Sequence, residues 1–194
     1  MKKIIFAPHH SIAEVPYHAT FAANHRFFFE YAREKRQSTS WIFKPHPMLG
    51  LSCVKNGVFS SLEEYDAYCR AWDELPNAKV VTGEYLSYFA SSDTMIFDSM
   101  SFMAEYLYTH KPSLFLTREG AHFNEFGEMV FSVLYHAEGT DYASVEHFLD
   151  VLLESDPMRE ARENFFRQVL DYADDHGKSA TQFIYDDIVH AIGV

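Results

Sequence analysis

Glycine and proline are scarce in this chain, with 8 and 7 among 194 residues. That excludes a collagenous or low-complexity protein. Cysteine is scarcer still: Cys53 and Cys69 stand in no metal or redox motif. They read as packing residues of a reduced, cytosolic protein. No run of about 18 apolar residues occurs, so no transmembrane helix is expected. Met1-Lys2-Lys3 before Ile4-Ile5-Phe6-Ala7 has the outline of a signal peptide, but the apolar run stops at Pro8-His9-His10. It is too short for a signal core, and secretion is not expected. There is no Gly-x-Gly-x-x-Gly, and Gly177-Lys178-Ser179 lacks the upstream glycine and strand of a phosphate loop. Positive charge is also short, with 16 Lys+Arg against 28 Asp+Glu and a net charge of -12. That disfavours nucleic acid as a partner. The deficit is uneven. Residues 1–60 hold 8 basic and 3 acidic residues, and residues 61–194 hold 8 and 25. Either an anionic ligand faces the N-terminal part, or the imbalance is solvated surface.

What the chain has is apolar and aromatic: 47% hydrophobic and 16% aromatic residues. This suits one well-packed domain over residues 1–194. Short apolar stretches alternate with helical spacing up to about residue 137. Strands are expected at Lys3–Ala7, Ser40–Lys44, Ala78–Thr82, Thr94–Phe97, Pro112–Leu116 and, at an edge, Tyr135–Ala137. Between them fall a helix from His25 to Lys35 capped by Asn24, and a loop over 47–60. A helix follows from the capping box Ser61-Leu62-Glu63-Glu64 to Leu75, then a short one over Tyr85–Ala90. Two more run over Phe102–Thr109 and from the Asn124 cap to about Leu134. From Tyr142 the pattern is helical in three pieces, broken at Asp156-Pro157 and His176-Gly177. Apolar strands without alternation, separated by helices, mean a parallel sheet covered on both faces. The fold class is therefore α/β, a three-layer α/β/α sandwich around a doubly wound parallel sheet of five or six strands.

In such a sheet the ligand sits outside the C-terminal ends of the strands. That rule selects Pro8-His9-His10-Ser11, Pro45-His46-Pro47, Gly83-Glu84-Tyr85 and Asp98-Ser99-Met100-Ser101. The last is a turn of small polar residues between a strand and a helix. Free N–H groups at the helix start, with the Ser99 and Ser101 hydroxyls, suit a phosphate. Glu105, about one turn on, suits the two hydroxyls of a ribose. The competing reading is a plain helix cap with Glu105 on the surface. In Lys44-Pro45-His46-Pro47 two prolines stiffen the backbone around an imidazole, which can donate to a phosphate or act as an acid. A histidine packed in a turn is the alternative. Lys44 adds positive charge or points away. His9-His10 with His46 suggests a metal, but no familiar ligand spacing is present, so no metal and no cofactor are expected. Direct contact of His9 and His10 with a ligand or a partner domain is the expectation instead.

In order along the chain, Ala7-Pro8-His9-His10-Ser11-Ile12, Phe43-Lys44-Pro45-His46-Pro47, Ser92-Asp93 to Glu105-Tyr106, Lys111-Pro112 and Phe123-Asn124-Glu125-Phe126-Gly127 resemble the C-terminal half of the CDP-glycerol glycerophosphotransferases. These are teichoic-acid polymerases and primases of the glycosyltransferase B architecture. The likeness covers roughly residues 1–135. The turn Asp98 to Ser101 with Glu105 also resembles that of other glycosyltransferase B enzymes and of non-hydrolysing sugar-nucleotide epimerases. The resemblance implies transfer of glycerol phosphate from CDP-glycerol to a cell-surface polymer acceptor. It places the enzyme in the cytoplasm, at the inner face of the membrane. By position it puts His46 on the donor phosphates as the catalytic candidate, Ser99 and Ser101 on the pyrophosphate and Glu105 on the ribose; the residue reading adds His9, His10, Lys44, Asp98 and Met100 as expected substrate contacts. Two departures stand out. The family's Thr-Asp-Tyr-Ser-Ser is here Phe97-Asp98-Ser99-Met100-Ser101, so the donor can differ. The family's Trp-His-Gly-Thr segment, whose histidine would take the acceptor's proton, does not occur. An acceptor domain or a second copy is thus an expected partner, and the chain alone is not expected to transfer. Two other readings remain: a sugar-nucleotide transferase or epimerase-like domain, and a non-catalytic nucleotide-binding module.

Overall fold

The computed structural model describes residues 1–13, 18–171, 173 and 176–193. Six strands form one sheet: β1 (Lys2–Ala7), β2 (Thr39–Phe43), β3 (Ala78–Val80), β4 (Thr94–Phe97), β5 (Ser113–Thr117) and β6 (Tyr135–Glu138). Their order is β3-β2-β1-β4-β5-β6, and every pairing is parallel. The sheet is doubly wound, with its switch point between β1 and β4.

The helices are α1 (Phe21–Glu34), α2 (Leu49–Lys55), α3 (Leu62–Glu74), α4 (Leu86–Ser91), α5 (Met100–Leu107) and α6 (Glu125–Phe131). After β6 come α7 (Tyr142–His147), α8 (Arg159–Phe165) and α9 (Ala180–Ile192). α7 runs through a π-helical stretch (Phe148–Leu152) into Leu153–Ser155, and α8 through another (Phe166–Leu170).

Successive strand residues face opposite sides of a sheet. Ile4, Phe6, Trp41, Phe43, Ile96, Leu114 and Leu116 pack with Phe21, Phe28 and Tyr31 of α1, Tyr65 and Trp72 of α3, and Phe148. Ile5, Ala7, Ile42, Met95, Phe97 and Phe115 pack on the other face with Phe89 of α4, Met103 and Tyr106 of α5, and Val130 of α6. This is why the strands read as unbroken apolar runs. The first layer holds more aromatic rings than the second. The Phe6 and Phe28 rings are 4.3 Å apart, and Phe43 stacks on Trp72 at 5.2 Å.

Two elements differ from the sequence expectation. α1 begins at Phe21, with Thr20 rather than Asn24 at its start. Asn24 is buried, and its amide donates to Thr20 Oγ1 at 2.8 Å and to Gly139 O at 3.2 Å. It ties the helix to the turn after β6 instead of capping it. The expected loop over 47–60 contains α2, which docks on α3 through Gly50. A Cβ there would meet the Tyr65 ring at 2.7 Å, so glycine permits the close approach. Among the described residues no helix is long and apolar enough to cross a membrane.

Candidate functional site

The C-terminal ends of β1, β2, β3 and β4 surround a cavity of about 290 Å³, lined by Pro8, Lys44, His46, Gly83, Tyr85, Ser99, Ser101 and Phe102 among others. This is near the lower end of small-ligand pockets. Larger hollows lie elsewhere. One of about 770 Å³ surrounds Arg33–Ser38 near the opposite end of the sheet. One of about 620 Å³ borders Thr117, Arg118, Glu119, Glu138 and Thr140, beyond β5 and β6. The smallest of the three holds His46, Tyr85, Ser99 and Ser101, which the strand-end rule selects.

Its floor is the tip of α5. Ser99 stands at the N-cap in extended conformation, the usual position for a capping serine, yet its side chain makes no cap bond. Its hydroxyl turns to Ser101 Oγ at 3.4 Å. In α3, α6, α7 and α9 the caps Ser61, Asn124, Asp141 and Ser179 do accept a backbone N–H, whereas α1, α2, α4 and α8 lack a side-chain cap bond as α5 does. The α5 tip thus keeps its positive dipole end uncovered on the cavity side.

One turn along, Glu105 is half-buried and accepts from Tyr85 Oη, 2.9 Å from Oε1 and 3.2 Å from Oε2. Lys44 is buried, its ammonium 4.6 Å from the centre of the Tyr85 ring and 5.5 Å from that of Phe102. Burial lowers its pKa, and the charge of Glu105 partly opposes this. A cation held against two ring faces, with Glu105 nearby, presents positive charge to the cavity.

His46 is held by hydrogen bonds at its backbone and at its ring. Its backbone N–H donates to Pro8 O at 3.2 Å, and Met48 N–H donates to its Nδ1 at 3.1 Å. An Nδ1 that accepts leaves the proton of a neutral imidazole on Nε2. His9 is set the same way: Ser11 N–H donates to its Nδ1 at 3.3 Å, and Ser11 Oγ lies 2.9 Å from it. The ring centre of His10 lies 4.3 Å from that of His9 and 4.1 Å from that of His46. Burial, followed by repulsion from His10, His46 and His18, pushes the His9 pKa down to about 4. Burial, then His10 and Lys44, lowers that of His46. The nitrogens of the three rings come within 4.8 Å of one another, close enough for a metal. The tautomers oppose one. A ligating Nε2 needs its lone pair, and the accepting Nδ1 atoms of His9 and His46 put protons there.

Asp98 corrects the sequence expectation. The sequence puts it among the expected ligand contacts, but it is 1% exposed. Its carboxylate accepts from His9 N–H, Thr20 N–H and the Thr20 hydroxyl. It binds the β1 loop and the start of α1 to the switch point, and burial raises its pKa to about 6. Met100 is exposed at the helix tip and is not among the residues that line the cavity. Other residues behind the resemblance are architectural. The Asp93 carboxylate accepts Lys3 N–H at 2.7 Å, and Lys111 Nζ donates to Ala90 O and Ser92 O at 2.6 Å each. Both lie at the far end of the sheet from the cavity. Phe102 and the role of Tyr85 escaped the sequence reading. Its rule for strand ends did select Gly83-Glu84-Tyr85, but an aromatic pair around a lysine has no sequence spacing.

No protein-family model and no curated protein matches the chain. Solved structures do. UDP-GlcNAc 2-epimerase from Neisseria meningitidis, bound to UDP-GlcNAc, is 15% identical with a TM-score of 0.51, over 83% of this chain and 38% of that one. S. aureus MnaA in its UDP co-structure is 17% identical with a TM-score of 0.48, over 83% and 39%. A dodecameric FMN-dependent Ubix-like decarboxylase from Escherichia coli O157:H7 is 12% identical with a TM-score of 0.49, over 80% and 94%. None of the three is a CDP-glycerol glycerophosphotransferase. The likeness to the Neisseria enzyme is one of fold, and this chain spans 38% of that enzyme's length.

Proposed function

We propose that this chain binds the diphosphate of a nucleoside-diphosphate sugar, as one domain of a sugar-nucleotide epimerase or glycosyltransferase. The observation that carries this is the uncapped tip of α5, facing a cavity that also holds Lys44 and His46, with Glu105 one turn in. An anion at a helix N-terminus replaces the missing cap and meets the dipole. In this reading the phosphates lie on the amides of Ser99 to Ser101, with the ammonium of Lys44 and the Nε2–H of His46 on their oxygens. Ribose hydroxyls take the Glu105 carboxylate, displacing or sharing the Tyr85 hydroxyl. The hollow of about 620 Å³ beyond β5 and β6, with Glu119, Glu138 and Thr140 on its wall, offers acceptors to a polyhydroxylated group. UDP-GlcNAc in the Neisseria enzyme of the same fold supports a sugar nucleotide.

The second reading is CDP-glycerol as donor, favoured by the Lys44-Pro45-His46-Pro47 segment and its rigid presentation of His46. Calorimetric titration of the chain with UDP-GlcNAc, CDP-glycerol and pyrophosphate separates the two. Binding of either nucleotide in preference to pyrophosphate supports the site, and the tighter one names the donor. No binding of any of the three contradicts it.

His46→Ala should weaken pyrophosphate and nucleotide alike, by on the order of 1–3 kcal/mol, because it removes a donor to phosphate. An effect on the nucleotide alone would move His46 off the phosphates.

A further inference from the structure

We propose that His9, His10 and His46 form a second anion subsite beside the α5 tip, one that takes up a proton together with a phosphate or sulfate group. For the nucleotide this rests on the proposed function. For a bare anion it stands on the cluster itself.

The geometry is that of one recognition surface. The three ring centres lie 4.1 to 5.3 Å apart, and the His10 and His46 rings stack at 27°. The cluster is built from two loops held together by backbone bonds. Lys44 N–H donates to Phe6 O at 2.8 Å, and His46 N–H donates to Pro8 O. His9 is locked further by Ser11, whose Oγ accepts His18 N–H at 3.1 Å.

Among the described residues the charged and titratable groups around it are few. From the β1 loop His18 faces His9, with ring centres 6.3 Å apart. From β2 comes Lys44, whose charge bears on His46. From β4 comes Asp98, buried and committed to the His9 and Thr20 donors. From α5 comes Glu105, which acts on Lys44. None of these carboxylates is ion-paired to an imidazole of the cluster.

Three adjacent imidazoles with no carboxylate partner among the described residues are unfavourable when charged, since each imidazolium repels the next. An anion reverses the sign of that term. It draws a proton onto a ring and then meets two or more N–H donors, with Nε2–H of His9 and His46 already present. The uncharged cluster is thus a latent cation that an anion completes. His10 Nδ1 is buried without a partner, which leaves that ring the least committed of the three.

Proton uptake has a direct readout. Sulfate and nucleoside-diphosphate sugars carry no titratable phosphate proton near neutral pH, so any proton taken up belongs to the protein. Titrate sulfate and UDP-GlcNAc into the chain near neutral pH in buffers of different ionisation enthalpy. The slope of heat against ionisation enthalpy should correspond to uptake of between about half a proton and one proton. Affinity should rise by on the order of tenfold as pH falls from about 7.5 to about 5.5. His9→Gln and His10→Gln should each reduce the uptake and flatten the pH profile. A pH-independent affinity with no uptake for both probes would overturn the subsite, even if UDP-GlcNAc binds and the proposed function stands. Sulfate binding with uptake, without UDP-GlcNAc binding, would keep the subsite and remove the nucleotide reading. Zinc or nickel bound more tightly than sulfate and displacing it would show a metal centre instead.

Discussion

Glu105 and Asp98 are both carboxylates near the same helix tip, and their surroundings give them opposite work. Glu105 is half-buried and, among the described residues, accepts a hydrogen bond from the Tyr85 hydroxyl alone, which leaves it lone pairs for two hydroxyls of an incoming ribose. Glu105→Ala should lower affinity for a nucleoside diphosphate while leaving pyrophosphate unchanged or slightly tighter, because a negative charge leaves the cavity. Titration of both ligands checks this, and equal loss for both would take Glu105 off the ribose. Asp98 is buried and saturated with donors. Asp98→Asn replaces an acceptor oxygen with a donor facing donors, at a cost of about 1–3 kcal/mol, readable by urea denaturation. Its charge also sets a pH dependence. The folded pKa of about 6 lies above the unfolded carboxylate value of about 4. The folded state therefore binds the proton more tightly. The Asp98 contribution is fully present below the unfolded value and is lost as pH rises through about 6. The stability difference between wild type and Asp98→Asn should narrow over that rise. From sequence the two residues looked alike, since spacing along one turn and helix placed both near a phosphate. Direction was not legible: whether a carboxylate points into a cavity or under a loop depends on Thr20, which is 78 residues away.

At the scale of elements, legibility followed locality. The strand Thr94–Phe97 and the caps Ser61 and Asn124 were readable because their determinants lie within four residues. α2 was missed because its reason is tertiary: Gly50 against the Tyr65 ring, and Cys53 buried in the first layer. The sharpest miss is Arg162 in α8, which is 1% exposed. Its guanidinium pairs with Asp156 and donates twice to His110 O at 3.3 Å. Tyr135 Oη donates to Asp156 Oδ1 at 3.1 Å and accepts Met158 N–H at 3.1 Å. One ion pair thus fastens the helical tail to the turn before β5 and to β6. The sequence showed Asp156-Pro157 only as a break between helices. Arg162→Leu leaves Asp156 partly buried without its cation and should destabilise by about 3–5 kcal/mol, measured as a shift in the denaturation midpoint. A shift under about 1 kcal/mol would mean that the pair is solvated and weak.

For the whole molecule, two helix layers close both faces of a parallel sheet, and the strand ends are left as the place for chemistry. The positive balance of residues 1–60 finds a local expression there, since Lys44 and His46 line the crevice and the His9 and His10 rings pack beside His46, while much of the acidic remainder is solvent-facing. The central claim is that a diphosphate sits on the amides at the start of α5, and Met100→Pro tests it most directly. Proline suits the first residue of a helix, where its missing N–H breaks no helical bond. Ser99, at φ -100° and ψ 126°, already has the extended conformation that a following proline requires. The substitution therefore deletes one N–H from the proposed anion site with the fold preserved. Titration of wild type and Met100→Pro with UDP-GlcNAc, alongside their thermal midpoints, should show affinity lower by about 1–3 kcal/mol at an unchanged midpoint. Equal affinity in the two proteins would contradict the account.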